Sequence, residues 1–369
     1  MRNSSSSILA LTAACLVTAW PAQADGIPDS HQHATGNVEL FLSLQTVAHD
    51  GPNDGLERPE DLWAAGDLVF AGNRGRWRAL GEYHFGPGES DMERFQVGFE
   101  PVPDTLLWFG RFHQPGSAWN NEFHHGQHLQ TTITRPAIEV WEDEEGFVPQ
   151  HLTGALFESR RPVGPVAGLQ VSVAVAYGSV IDADGLSPVD LLRSNPGSHR
   201  LSQSARISFL PQYLGSSSVG LLFGHHRTPV FDPVLGAMLD AQLVDLHVYG
   251  AYFNHDHEPW RAIGAAYYIA VDLQNAAAER REHFTSGYVQ VERQLPHGLT
   301  VYARHENSTN ANTSRYVNMH RDDFVAHGTL GGLRWEFHHH QALTLELARR
   351  TTIQSTETMP RLQWSSVFP

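Results

Sequence analysis

The chain is written in short runs where apolar and polar residues take turns, and a period of two marks a strand with one greasy face. Over 37–47, Val38, Leu40, Leu42 and Leu44 share one face, with Glu39, Ser43 and Gln45 on the other. From Arg76 to Phe85, Trp77, Ala79, Gly81 and Tyr83 alternate with Arg76, Arg78, Glu82 and His84. Sixteen such runs are predicted: 37–47, 62–71, 76–85, 94–99, 105–112, 152–159, 169–177, 201–209, 219–225, 243–253, 260–269, 283–292, 299–304, 325–337, 342–350 and 361–368.

Their connections sort by length. Gly72-Asn73-Arg74-Gly75, the segment Glu100 to Asp104, Arg161 to Pro165, Pro296-His297-Gly298 and His338 to Gln341 are short and rich in turn residues. The long ones are 48–61, 113–150, 178–199, 227–241, 271–282 and 305–323, with 86–91 and 351–360 as shorter members of that set. Long and short alternate, so all long connections fall on one side, and an even count starting with a long one puts both chain ends on the other. Soluble sandwiches and propellers also alternate strands, but they do not segregate loops in this way. The predicted fold is therefore all-β, a transmembrane antiparallel up-and-down β-barrel of about 16 strands. Outward aromatics Trp77, Phe99, Phe209, Tyr252, Trp260 and Trp335 are expected to form the girdle at the inner interface.

Composition narrows the setting. A basic start at Arg2, an apolar stretch from Ile8 to Val17 and Ala22-Gln23-Ala24 before Asp25 read as a cleaved signal peptide over 1–24. A short polar lead-in, 25–36, then precedes the barrel of 37–369. Cys15 is the one cysteine and lies in the leader, which removes disulfides and thiolate sites from the mature chain. A mean hydropathy of -0.32 suits a barrel, in which only alternate residues meet lipid, and not a helical membrane protein. The formal charge of -15 argues against nucleic acid as a partner and fits a pore mouth that gathers cations. All 23 histidines follow the leader.

The last run places Leu362, Trp364, Ser366 and Phe368 on one face, and here the chain resembles outer-membrane barrel proteins, whose final strand ends in an aromatic. Pro369 after Phe368 departs from that pattern. The strand count and the enlarged third long connection resemble sixteen-stranded porins, in which that loop folds inward and narrows the pore. The stretch from Gly110-Arg111-Phe112-His113 to Pro149 is similar to that of little-characterised porin-like proteins of Gram-negative bacteria. The resemblance implies an outer-membrane location, lipid as surroundings, passive passage of small hydrophilic solutes or cations without a cofactor, and a homotrimer.

A pore discriminates by its width and by the charges at its narrowest ring. The third loop carries Glu139, Glu142, Asp143, Glu144 and Glu145, and the inward register offers Arg78, Arg94 and Arg111 among the wall arginines. These are the expected constriction residues, with pairing to wall carboxylates as the alternative role of the arginines. The competing reading is a zinc or copper site at His113, His124, His125 and His128, completed by Glu122, since His124 and His128 share a face if that segment is helical. No His-Glu-x-x-His pattern is present, and no serine has a convincing nucleophile setting, so catalysis is not expected.

Overall fold

Closure is set by the pairing of the first and last strands, with Leu40 opposite Phe368 and Val47 opposite Arg361. The computed structural model describes residues 35–47, 62–86, 90–123, 127–142, 146–183, 185–192, 195, 197–275, 279–320, 324–352 and 354–368. The expected leader and nearly all of the lead-in lie outside them. The barrel contains β1 (Thr35–Val47), β2 (Leu62–Arg74), β3 (Trp77–Phe85), β4 (Ser90–Val102), β5 (Thr105–His113), β6 (His151–Val163) and β7 (Ala167–Tyr177). A small hairpin, β8 (Val180–Asp182) with β9 (Gly185–Ser187), follows outside the wall's ladder. The wall resumes with β10 (Leu201–Leu210), β11 (Ser218–Pro229), β12 (Leu243–His257), β13 (Trp260–Gln274) and β14 (Glu279–Leu295). It ends with β15 (Leu299–Thr309), β16 (His327–His338), β17 (Gln341–Thr351) and β18 (Thr356–Phe368). Each wall strand pairs with its neighbours in the chain, β7 with β10 across the hairpin, which gives one closed antiparallel barrel of sixteen strands.

All sixteen predicted runs are wall strands, and most extend beyond the predicted limits. The largest difference is 271–282, expected as a long connection. There β13 continues to Gln274 and β14 begins at Glu279, because the ladder runs on from Val271 opposite Glu282 to Gln274 opposite Glu279. No helix among the described residues is long and apolar enough to cross a membrane.

The period of two becomes a difference in environment. On β17, Leu345 and Leu347 are each 56% exposed on the outer wall while Glu346 between them is 0% exposed. Trp77, Phe209, Trp260 and Trp335 face outward at the short-turn end, and Trp77 packs on Phe99 with ring centroids 5.1 Å apart. Tyr252 does not join this girdle. It shares the inward face of β12 with Leu246 and Val248, is 4% exposed, and its hydroxyl meets Ser208 at 2.5 Å.

The wall is unequal inside. Leu246, Val248, Ile263, Ile269, Val271, Leu273 and Phe284 point inward from β12, β13 and β14 and form an apolar cluster with Trp119, Ile138, Trp141, Phe147 and Val148 of the third long connection. Strands covered on both faces are apolar on both, which explains Ile263 to Leu273. The lumen therefore holds a core of its own.

Candidate functional site: the inward loop

The connection 114–150 leaves β5 at His113 and returns at His151, residues directly opposite each other in the ladder. Its root is closed by the Gln114 N–H donating to the Gln150 carbonyl at 2.9 Å. Ser117 caps a short helix, α1 (Ala118–Glu122), its hydroxyl accepting from the Asn120 N–H. Beyond it the chain has tight turns at Gln127–Leu129 and Ala137–Glu139. Irregular backbone away from water needs partners for its N–H and C=O groups, and the wall provides them.

Glu346 of β17 accepts the N–H groups of Ile133 at 3.0 Å and Thr134 at 3.2 Å. Glu306 of β15 accepts from the Ala137 N–H at 2.8 Å. Arg304 donates to the carbonyls of Thr134 at 2.8 Å and Arg135 at 3.0 Å, and Arg334 to those of Gln130 and His128, both at 2.8 Å. Arg261 and Glu292 share the Thr131 hydroxyl at 2.6 and 2.8 Å. On the inner side of β10, Arg206 donates to the Gly116 carbonyl at 3.3 Å. These side chains occupy the inward positions of their strands, so the loop crosses the lumen and lies along the wall from β10 to β17.

Glu139 is the loop's deepest carboxyl. At 0% exposure it receives Ser117 Oγ at 2.8 Å, Asn120 Nδ2 at 2.5 Å and the Tyr267 hydroxyl at 2.8 Å. Burial pushes this carboxyl up to about 7 against those donors. It is thus part of the loop's anchor and faces no open gap. Glu142 is likewise engaged: one oxygen accepts the backbone N–H of His151 at 2.7 Å and meets its ring Nδ1, and the other accepts from Ser179 at 2.7 Å. Asp143, Glu144 and Glu145 lie outside the described residues.

The three wall arginines are paired. Arg78 bonds Glu100, Arg94 bonds Glu82 at 2.7 Å, and Arg111 bonds Asp91 at 2.8 Å. Each of the three is paired with a carboxylate other than Glu139 or Glu142. Acidic and basic side chains do line one cavity together elsewhere. A cavity of about 230 Å³ beneath α1 is lined by Asn121, Glu122, Arg160, Gln170, Arg206 and Tyr252 among others, with Glu122 held by Asn254 at 3.0 Å. A second, of about 350 Å³, is lined by Thr35, Asn37, Asn73, Arg78, Leu80 and Trp108. From the sequence alone Glu122 is only a helper to histidines; the spacing of α1 from the wall arginines has no signature in the chain order.

Of the histidine set, the described members His113 and His128 have different surroundings. His124 and His125 lie outside the described residues. His128 sits against β18, its Nδ1 3.2 Å from Ser365 Oγ, and burial with the charge of Arg334 holds its imidazole down to about 4. His113 stands at the loop root with His151 and Glu93.

No family model matches the sequence, and no curated protein matches it either. Solved structures do match. The outer membrane channel DcaP of Acinetobacter baumannii aligns with a TM-score of 0.52 at 12% identity, covering 91% of this chain and 97% of that one. OmpF of Salmonella typhi, solved in complex with daunomycin, aligns with a TM-score of 0.57 at 9% identity over 90% and 97%. OmpT, an outer membrane protein of Vibrio cholerae, aligns with a TM-score of 0.53 at 8% identity over 91% and 98%. With its closed sixteen-stranded wall and its third long loop laid inside, the chain has the fold of the outer-membrane porins.

Proposed function

We propose that the protein is an outer-membrane channel for passive diffusion of small hydrophilic solutes or ions, needing no cofactor. The observation that carries this reading is the loop 114–150, bound across the lumen to inward side chains of β10 to β17 while the outer wall stays apolar. A wall built only for strength has no use for such a loop, and a water path needs a wet constriction. Charge selection then belongs to Glu122, which lines the smaller cavity together with Arg160 and Arg206, with the loop carboxylates Asp143, Glu144 and Glu145 as further acidic groups. Opposed charges across a narrow aqueous gap set up a transverse field that favours small polar solutes.

The test is planar-bilayer recording of the refolded chain under a salt gradient. The parent should show discrete conductance steps, and Glu122→Gln should shift the reversal potential toward anion preference. A parent that forms no steps sinks the channel; an unchanged potential removes Glu122 from selection.

A further inference from the structure

We infer that the root of the inward loop is a site for a divalent transition metal, zinc in the first place, held by Glu93, His113 and His151. Three wall strands and the loop build it. His113 ends β5 and His151 begins β6, so the ladder sets them side by side, rings edge to face at 4.6 Å. Glu93 is the residue that β4 carries in excess at its bulge against β3, where the register passes from Glu82 opposite Arg94 to Tyr83 opposite Met92. Bulges re-aim a side chain, and this one brings a carboxylate to the two imidazoles.

The donor atoms converge. His151 Nε2 is 2.6 Å from the Glu93 carboxylate and 2.9 Å from His113 Nε2, and His113 Nε2 is 3.8 Å from the same oxygen. A simple ion pair between His151 and Glu93 has no need of the second imidazole pointing its Nε2 at the same spot. Two imidazoles and one carboxylate with a position left for water is a normal zinc set. The arrangement behind the ligands fits as well: His151 Nδ1 is held by Glu142, and Glu142 by Ser179 at 2.7 Å, the carboxylate-to-histidine support that fixes a ligand's tautomer and aim. Nearby charge favours a dication, since Glu93 and Glu142 both lie on His151 and the nearby guanidinium, Arg111, is already paired with Asp91 at 2.8 Å. The ligand side chains are 14%, 9% and 4% exposed for Glu93, His113 and His151, shielded but reachable.

The consequence concerns the loop. Its two ends are His113 and His151, and Glu142 is one of its own residues, so a bound ion clamps the point where the loop leaves and rejoins the wall. The site does not depend on the channel reading, because binding is measured without conductance.

The full chain, refolded in detergent, is dialysed against zinc chloride and, separately, titrated with cobalt(II) for its visible spectrum. A second group, His225, Asp245 and His247, lies on other strands and serves as control. The parent should retain zinc and give an intense four-coordinate cobalt spectrum. Affinity should fall at least about tenfold in His113→Ala and in the isosteric Glu93→Gln, and by about 10–100-fold in Glu142→Gln. The pair His225→Ala with His247→Ala should leave this binding intact. Gel mobility before and after heating confirms that each variant is a folded barrel. Zinc binding in folded His113→Ala and Glu93→Gln equal to the parent's, or loss only in the His225/His247 variant, overturns the assignment.

Discussion

Glu139 shows how a carboxyl can be placed by its surroundings instead of its charge. Its oxygens receive Ser117, Asn120 and Tyr267, with Tyr288 also close, and burial lifts it from the ordinary 4.5 to about 7. The docked loop thus holds a proton that a freed loop releases in the window from about 4.5 to 7. The docked state is favoured fully below that window, and its advantage is lost as pH rises through it. The loop should be cut by protease more readily at pH 8 than at pH 5, and Glu139→Gln, which keeps the neutral form, should flatten that slope. An equal slope in the variant assigns the pH response to another group. The sequence alone places this residue in the gap because outside a strand no period assigns a side chain to a face. Arg78 and Arg94 were legible as inward because they lie on strands, while their partners Glu100 and Glu82 were decided by cross-strand register.

At the scale of elements, the alternation that made sixteen strands readable also concealed the loop's contacts. Strand recognition needs only neighbours in the chain, whereas docking depends on pairs such as Thr134 with Glu346, 212 residues apart. One trace was present: Ile263 to Leu273 is apolar at nearly every position, more than a wall facing water on one side requires. The loop root was not legible: the sequence runs stop at Phe112 and resume at Leu152, and only the ladder carries them on to His113 opposite His151. Since the wall's ladder is continuous without the loop, replacing residues 117–146 by a short Gly-Ser link should leave a heat-modifiable barrel with a severalfold larger conductance step. The inward carboxylates and arginines then take water in place of loop backbone. A variant that cannot refold shows instead that the apolar cluster around Phe147 and Phe284 is needed for closure.

For the whole molecule, the governing constraint is that every backbone polar group in the hydrocarbon must be satisfied within the chain, which a closed wall achieves and an open sheet does not. The outward positions obey a second rule. Leu345 and Leu347 occupy the middle of β17, and Val289 and Val291 lie well inside β14, whereas the outward charges Arg161, Arg293 and Arg349 fall toward strand ends. A guanidinium at mid-depth must leave water with no partner nearby, while one near an end reaches the interface. Leu345→Arg is therefore expected to lower barrel stability by about 2–4 kcal/mol, and Val163→Arg, beside the turn that already bears Arg161, by about 0–1 kcal/mol. Reversible urea unfolding in lipid vesicles measures both. Equal costs at the two positions would mean that Leu345 does not face hydrocarbon, and with that the outer surface would lose its assignment as the lipid-facing wall.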